Sequence, residues 1–169
     1  AAARIVAERA DVEFLIAGSD TEPGHHFETR LRREVREFGI EDFVRFLGHV
    51  EDLNGLLAAV DAVIVPSWNE AFSLVTAEAM AAGRAVVASR AGALEELVEH
   101  DRTGLLVPAR DPESLATAIV RLAEDPALVE FLGQNAKVAA ERFSRDRSID
   151  SVVNVYKEAL ADVMLDGSR

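Results

Sequence analysis

Two glutamates eight residues apart, Glu70 and Glu78, are the side chains whose type and spacing could do chemistry in this sequence. If both lay on one helix, eight steps of about 100° would place the second carboxylate roughly 80° around from the first and about 12 Å along the axis. Two carboxylates at that separation could contact opposite ends of an elongated ligand. The alternative is that both are solvated surface acids, as most glutamates are. The small and apolar neighbours of Glu78 favour either a narrow polar stripe or a buried acid, and a buried acid points towards function.

The two glutamates lie in a stretch whose pattern predicts a strand, a loop and a helix. Residues 62–65 are small or β-branched and suit a buried strand. Helix-forming residues fill 74–82, Ser73 or Asn69 could cap that helix, and Gly83 would end it. Because a helix N-terminus has free N–H groups and a partial positive charge, the loop before it suits a phosphate or another anion.

The rest of the chain alternates strands and helices in the same way. This alternation predicts an α/β fold with a doubly wound parallel sheet and helices on both of its faces. We expect residues 1–169 to form a single domain, with its C-terminal helices beginning at about 126. The predicted strands span 12–17, 44–47, 62–65, 85–88 and 104–107, and the predicted helices span 1–10, 25–38, 51–60, 74–82, 94–99, a segment from 111, 126–142 and 146–162.

Small and polar residues cluster in the loops that follow the predicted strands. In a parallel sheet of this type, ligands bind outside the carboxyl ends of the strands. The loops after residues 17, 47, 65 and 88 should therefore line one edge of the sheet and form a binding cleft. They carry Gly18, Ser19, Gly48, His49, Ser67, Asn69, Glu70, Ser89, Arg90 and Gly92.

The bulk composition narrows the function classes. With 169 residues, 49% of them hydrophobic, the chain is long enough to bury a core. The absence of cysteine excludes a disulfide scaffold and a thiolate metal site, and it fits a cytoplasmic protein. A net charge of −12 argues against non-specific nucleic-acid binding. Exposed charges are screened within about 8 Å at physiological salt, so backbone amides can still bind an anionic ligand locally.

The segment PSWNEAFSLVTAEAMAAG resembles the Glu-x7-Glu signature of retaining glycosyltransferases with the GT-B fold, of the group 1 or family 4 type. In that family the signature usually reads PS-x-x-E-x-F-G-L-x-x-x-E-A-M-A-x-G. The segments FLIAGSD, VRFLGHVEDLNGLLAAVDAVIVPS, AVVASRAGALEELVEH and DRTGLLVPARDPESLATAI also match the family's C-terminal domain, in the same order. The resemblance covers the chain to about Phe143. It implies a Rossmann-like half of a GT-B fold that binds a nucleotide-diphosphate-sugar donor, from which a hexose-type sugar passes to an unknown acceptor.

The resemblance also implies roles for the residues that match its motifs. Glu70 matches the first glutamate, which contacts sugar hydroxyls, and it is the predicted catalytic residue. Glu78 matches the second, which accepts hydrogen bonds from the ribose hydroxyls. His49 and Val50 match the loop near the nucleobase. The remaining predicted donor-binding residues are Gly18, in the FLIAGSD segment, and Phe72, Ser73 and Leu74, whose amides would lie beside the diphosphate and the sugar.

Some positions depart from the family's pattern. Ser73 stands where the family usually has glycine, so its side chain would narrow the approach of the donor. Residues 92–96 match a Gly-Gly-x-Pro-Glu pattern, with Ala93 and Glu95 in place of the second glycine and the proline. Glu96 keeps the family's acid, which has either a binding role or a surface role.

Other polar residues have alternative explanations. Arg90 is either a phosphate ligand or a solvated arginine, and His49 is either near the nucleobase or a loop histidine bonded to the backbone. His25, His26 and His100 are dispersed and show no metal-binding spacing. We therefore expect no metal and no cofactor apart from the donor substrate.

Parts of the family's cleft have no counterpart in this sequence. The resemblance implies a first strand whose following loop carries an arginine and a lysine that clamp the diphosphate, and it implies an N-terminal acceptor domain. Neither precedes Ala1, so we expect a fragment of a larger two-domain enzyme. That fragment should be inactive alone, because the leaving diphosphate needs positive charge. Any peripheral membrane contact would come through the acceptor domain.

The family's strand order, 3-2-1-4-5-6, makes the absent first strand the central one. Strands 12–17 and 62–65 would then pair directly, leave a gap, or recruit a strand from elsewhere. Exposed strand edges promote association. The fragment is therefore predicted to be marginally stable or to self-associate.

Two alternatives to a transferase remain open. A non-catalytic nucleotide-sugar-binding or regulatory module would keep the fold without the chemistry, and the substitutions at Ser73, Ala93 and Glu95 favour it slightly. A sugar-nucleotide epimerase with the GT-B fold is disfavoured, because the Glu-x7-Glu stretch fits transferases better.

Overall fold

The computed structural model describes residues 1–19 and 26–166, in which strands and helices alternate along the chain. The strands are β1 (Phe14–Ala17), β2 (Val44–Gly48), β3 (Ala62–Val65), β4 (Ala85–Arg90) and β5 (Leu105–Pro108). The helices are α1 (Ala2–Glu8), α2 (His26–Glu37), α3 (Leu53–Ala59), α4 (Leu74–Ala81), α5 (Leu94–Leu97), α6 (Pro112–Glu124), α7 (Pro126–Ala140) and α8 (Arg145–Asp166), with short 3-10 turns at Glu41–Phe43 and Glu141–Phe143.

The strands form two parallel sheets rather than one. β1 pairs with β2, and β3, β4 and β5 pair in that order. Within the described ranges no ladder joins β1 to β3. Of the three outcomes expected for these two strands, the structure has the gap. All three ladders are parallel. The order β2-β1 corresponds to 3-2 of the expected arrangement, and the order β3-β4-β5 corresponds to 4-5-6.

Helices cover both faces of the three-stranded sheet, as predicted. In β4, Val86 and Ala88 belong to a core cluster with α3, α4, α5 and α7. The alternate residues Ala85 and Val87 belong to a second cluster with α1, α6 and α7. All four are fully buried, because β4 has a strand on each edge and a helical layer on each face.

The helix α1 links the two sheets. Its Ile5 is 1% exposed and lies in the second core cluster, against which Phe14 of β1 and Ile64 of β3 also pack. The strands on either side of the gap are therefore held by side-chain packing rather than by backbone hydrogen bonds.

Several predicted boundaries shift by a few residues. The first strand begins at Phe14 rather than at residue 12. The predicted helix 51–60 is shorter because Asp52 caps it, accepting a hydrogen bond of 2.8 Å from the Gly55 N–H. The last helix reaches Asp166. The predicted start of the second helix at His25 lies outside the described residues, and α2 is described from His26.

Helices α4 and α7 approach closely where two glycines meet. A Cβ atom added to Gly133 of α7 would lie 2.3 Å from the carbonyl oxygen of Gly83, the residue with positive φ (70°) beyond the end of α4. Leu132 and Ala136 of α7 are fully buried in the same region. Close backbone contact of this kind requires glycine on α7, since any side chain would separate the two helices.

None of the described helices is both long enough and apolar enough to span a bilayer.

Candidate functional site

The loop between β3 and α4 opens onto solvent at the start of the helix. Ser73 is the N-cap residue of α4, but its side chain makes no capping hydrogen bond. Phe72, Leu74 and Val75 are 47%, 68% and 41% exposed. The N–H groups of the first helical turn have no acceptor within the helix. No described side chain caps this turn, so the N–H groups at the exposed Leu74 and Val75 are open to a ligand, whereas Thr76 is buried.

Glu70 is held within that loop from two sides. One carboxylate oxygen, Oε2, accepts a 3.1 Å hydrogen bond from the Ser67 hydroxyl. The backbone carbonyl of Glu70 accepts a 3.0 Å hydrogen bond from the N–H of Ala93, in the turn after β4. The carboxylate is partly exposed, so it can still contact a ligand.

Ser73 directs its hydroxyl into the protein. The residue is 2% exposed, and its Oγ accepts a 2.9 Å hydrogen bond from the Thr76 hydroxyl, which is fully buried. The backbone φ of Ser73 is −96°, a value that any L residue adopts without strain. The expectation that this side chain narrows the donor's approach is therefore wrong, because the hydroxyl is buried against Thr76.

Glu78 lies on α4 as an exposed acid directly before two buried residues. Ala79 and Met80 are completely buried, whereas Glu78 is exposed and no described residue pairs with its carboxylate. The expectation of a buried acid is wrong, and the exposed face that carries Glu78 is not a polar stripe, because Leu74 and Val75 one turn before it are exposed too. The helical separation of 80° and 12 Å does not apply either, since Glu70 lies in the loop and only Glu78 is helical.

The two-stranded sheet brings a second group of predicted residues together. Gly18, with φ of 119°, donates a 2.7 Å hydrogen bond from its N–H to the carbonyl of Gly48, so the loops after β1 and β2 meet. His49 follows directly and is exposed, and Val50 is half-buried. Within the described residues, no hydrogen bond to the His49 ring is present. Nor does any hydrogen bond in the described ranges link this group to the Glu70 loop.

The turn after β4 contains the other motif residues. Arg90 is exposed, as the solvated alternative expects, and it lies 3.5 Å from the exposed Glu95 as a surface ion pair. Glu96 is exposed, and its carbonyl accepts a 2.6 Å hydrogen bond from Arg142. Gly92 has φ of 53° and lies directly against the backbone of Glu70.

A stacked pair at the carboxyl end of the three-stranded sheet was not predicted. The guanidinium of Arg110 lies 4.5 Å from the ring centre of Trp68, which is 66% exposed. Arg110 has φ of 63°, a conformation that favours glycine. No sequence signal marks an arginine in that conformation, so only the structure reveals that the loops after β3 and β5 meet.

A cavity away from the Glu70 loop is lined by none of the predicted site residues. It has a volume of about 490 Å³ and lies between the outer edge of β5 and α6. At that edge, His100 Nδ1 accepts a 3.0 Å hydrogen bond from the Leu106 N–H, and His100 Nε2 lies 3.3 Å from Asp101. Arg121 donates to Asp101 at 2.6 Å, and chiefly this hydrogen bond lowers the pKa of that carboxyl. In the described ranges no three or more His, Asp or Glu side chains are arranged to hold a metal ion.

Comparison with known proteins shows which family the chain matches. The family described as "Glycosyl transferases group 1" matches residues 1–125. The D-inositol 3-phosphate glycosyltransferase of Saccharomonospora viridis is 40% identical over 149 residues, which are 87% of this chain and 35% of that protein. The chain thus spans little more than a third of that curated relative.

Two solved structures have the same fold over nearly the whole chain. Sucrose-phosphate synthase from Thermosynechococcus elongatus superposes with a TM-score of 0.85 at 33% identity, covering 95% of this chain and 42% of that one. HepE from Anabaena, solved in complex with UDP and also with UDP-glucose, gives a TM-score of 0.82 at 29% identity, covering 95% and 44%.

Proposed function

Because the chain belongs to the group 1 glycosyltransferases, we propose that it is the donor-binding half of a retaining enzyme that transfers a hexose-type sugar from a nucleotide-diphosphate-sugar to an acceptor. The acceptor would bind to the part of the protein that this chain does not span. The binding of UDP and UDP-glucose by the related HepE makes a UDP-sugar the first donor to test.

The observation that carries this proposal is the arrangement of three features along the β3–α4 segment. Glu70 is fixed in the loop, the first turn of α4 has free N–H groups, and Glu78 is exposed and unpaired within the described residues. A donor contains a sugar, a diphosphate and a ribose in that order. Each feature has the chemistry to bind one of these groups.

The two carboxylates would have different tasks. Glu70 would accept hydrogen bonds from the transferred sugar, and its own bond from Ser67 fixes the orientation of the carboxylate. Glu78 would accept from the two ribose hydroxyls and so contribute to the binding of any nucleoside diphosphate. His49 and Val50 would lie near the nucleobase, and Gly18 beside the same cleft. No metal ion is required for these contacts.

The described residues supply little positive charge for a leaving diphosphate. At the carboxyl ends of β4 and β5, Arg90 is paired with Glu95 and Arg110 is stacked on Trp68. We propose that the cations which stabilise the diphosphate come from the part of the protein outside this chain, so that the 169-residue chain alone transfers no sugar. Turnover of a nucleotide-sugar by the purified chain, above a heat-inactivated control, would contradict this.

A non-catalytic nucleotide-sugar-binding or regulatory module is the second candidate. The Arg90–Glu95 ion pair favours it, because Glu95 neutralises a cation at the sheet edge where phosphate would bind. The two candidates differ in one measurement: turnover by the full-length protein supports the transferase, and donor binding without turnover supports the module.

The test of the donor site compares two substitutions in the full-length protein by calorimetry. A carboxylate that accepts from ribose hydroxyls makes charge-assisted bonds worth about 1.5–3 kcal/mol each. Glu78→Gln should therefore weaken plain nucleoside diphosphate by roughly ten-fold or more. Glu70→Gln should leave plain nucleotide binding intact and weaken only the sugar-bearing donor.

The control is Glu158→Gln on α8, which removes an exposed helical acid far along the chain and should change neither affinity. Equal effects of Glu78→Gln and Glu70→Gln on plain nucleotide, or no effect of Glu78→Gln, would show that both acids are ordinary surface carboxylates.

A further inference from the structure

The turn after β4 presses directly on the backbone of Glu70. A Cβ atom added to Gly92 would lie 2.2 Å from the Glu70 carbonyl oxygen, 3.2 Å from its carbonyl carbon and 3.5 Å from its nitrogen. Nonbonded heavy atoms do not approach to 2.2 Å, and both partners here are backbone. A side chain at position 92 would therefore displace the Glu70 loop, the turn, or both.

The conformation of Gly92 adds a second requirement for glycine. Its φ of 53° lies in the left-handed region, where a side chain is strained whatever space surrounds it. Other glycines separate these two requirements. Gly39 has φ of 66° but open space around its Cβ position, and a Cβ at Gly133 would lie 2.3 Å from the carbonyl oxygen of Gly83 rather than that of Glu70.

The residue after Gly92 completes the contact. The Ala93 N–H donates a 3.0 Å hydrogen bond to the same Glu70 carbonyl oxygen. Together with the bond from Ser67 to the carboxylate, this fixes Glu70 at its backbone and at its side chain. Glu78 lies on α4, and within the described residues it makes no hydrogen bond with this turn.

We propose that Gly92 and Ala93 are positioning residues that set the place of the Glu70 carboxylate against the transferred sugar. The inference rests on the proposed donor site. It adds that the sugar end of that site is shaped by the turn after β4, whereas the nucleotide end is not. A change in this turn should therefore affect the sugar-bearing donor selectively.

The experiment measures the binding of UDP and of UDP-glucose to the full-length protein by calorimetry. Gly92→Ala should weaken UDP-glucose binding by about ten-fold or more and change UDP binding by less than about two-fold. Gly39→Ala, which adds left-handed strain alone, should change the affinity for neither UDP nor UDP-glucose. Gly133→Ala, which adds a backbone clash alone, should lower the melting temperature. It should not weaken the binding of one ligand more than that of the other.

Trp68, the single tryptophan among these 169 residues, gives an independent readout of the loop when variant and wild-type emission spectra are subtracted. Trp68 lies two residues before Glu70 and is 66% exposed, so its fluorescence reports on the segment that Gly92 contacts. Gly92→Ala should shift the Trp68 emission, and Gly39→Ala and Gly133→Ala should not.

A second variant decides the question if Gly92→Ala does not fold. Ala93 has φ of −63°, which proline also adopts, so Ala93→Pro removes the N–H donor and places the ring Cδ against the Glu70 carbonyl oxygen without left-handed strain. It should give the same selective loss of UDP-glucose binding. Equal weakening of both ligands by the folded variant, or no weakening of either, overturns the positioning role. A wild-type protein that binds neither ligand contradicts the proposed function instead.

Discussion

The strands of the two sheets are similarly apolar but are buried to different extents. In β4 five of the six residues are buried, whereas none of the residues Phe14–Ala17 of β1 is. The difference lies in the neighbours, because β4 is paired on both edges and β1 only with β2. An apolar run therefore predicts a strand that can be buried. Whether the strand is buried depends on the strands that pair with its two edges.

The edges of the two sheets differ in the same way. On the outer edge of β5, the Leu106 N–H is bonded to His100 and Pro108 has no N–H to offer. Such an edge cannot readily pair with another strand. The edges of β1 and β3 that face the gap have no such protection among the described residues, so any association should occur there.

The largest expected effect concerns these open edges. The purified 169-residue chain should form concentration-dependent oligomers or, where it stays monomeric, should unfold at a low temperature, because two strand edges lack partners. Sedimentation velocity over a range of concentrations and thermal unfolding measure both. A monodisperse monomer with a high melting temperature would contradict the prediction.

A matched pair of core substitutions compares the two sheets directly. Leu105→Ala in β5 removes a side chain that is 1% exposed and should lower the free energy of unfolding by about 3 kcal/mol. Leu15→Ala in β1 removes a half-buried side chain and should cost about 1 kcal/mol. Urea denaturation of both variants provides the values. Equal losses would show that β1 is as well packed as β5.

The site residues can be compared in the same manner. Glu78 lies on a helix packed against the three-stranded sheet, whereas the exposed His49 follows the two-stranded sheet and makes no hydrogen bond with a described residue. We expect His49→Ala to weaken nucleoside-diphosphate binding by no more than about five-fold, less than Glu78→Gln. Calorimetry on the full-length protein measures both losses of affinity. A larger loss from His49→Ala than from Glu78→Gln would contradict the prediction.

The smallest expected effect concerns the network that closes the β5 edge. Arg121 holds the pKa of Asp101 below its usual range, mainly through a hydrogen bond. A carboxyl whose pKa is lower in the folded state stabilises the protein at pH values above its unfolded-state pKa of about 4. This stability is lost as the pH falls through the pKa of the folded state.

Arg121→Gln should therefore destabilise the protein at pH 7 by less than about 1 kcal/mol, since the pair is half exposed. The difference from wild type should narrow as the pH is lowered below about 4. Arg33→Gln, which breaks an exposed pair on α2, is the control. A difference that stays constant with pH would exclude Asp101 as its source.

Much of the fold followed from local sequence pattern. The strand-and-helix order, the parallel pairing and the helical layers on both faces depend on apolar periodicity and on Gly, Pro and Asp at element ends. These signals act over a few residues. The family's strand order left three outcomes open for β1 and β3, and only the structure shows that they leave a gap.

The details of the site depend on contacts distant in sequence. The acids and the loop at Glu70 were identifiable from type and spacing, but the direction of the Ser73 hydroxyl depends on its bond to Thr76. The contact of Gly92 with Glu70 and the stacking of Arg110 on Trp68 join loops that follow different strands. Tertiary packing sets such contacts, so no local pattern predicts them.

The close approach of α7 to α4 determines where this protein could be shortened by an engineer. The family match ends at residue 125, before α7 begins at Pro126. A cut at that point would remove Leu132 and Ala136, uncover the buried Met80 and free the glycine-to-glycine contact behind the helix that carries Glu78. A cut after Ser144 would remove only α8, whose side chains at 149, 152, 153, 155, 156 and 160 are exposed. The smallest transplantable unit for domain recombination therefore extends through α7 and the turn after it.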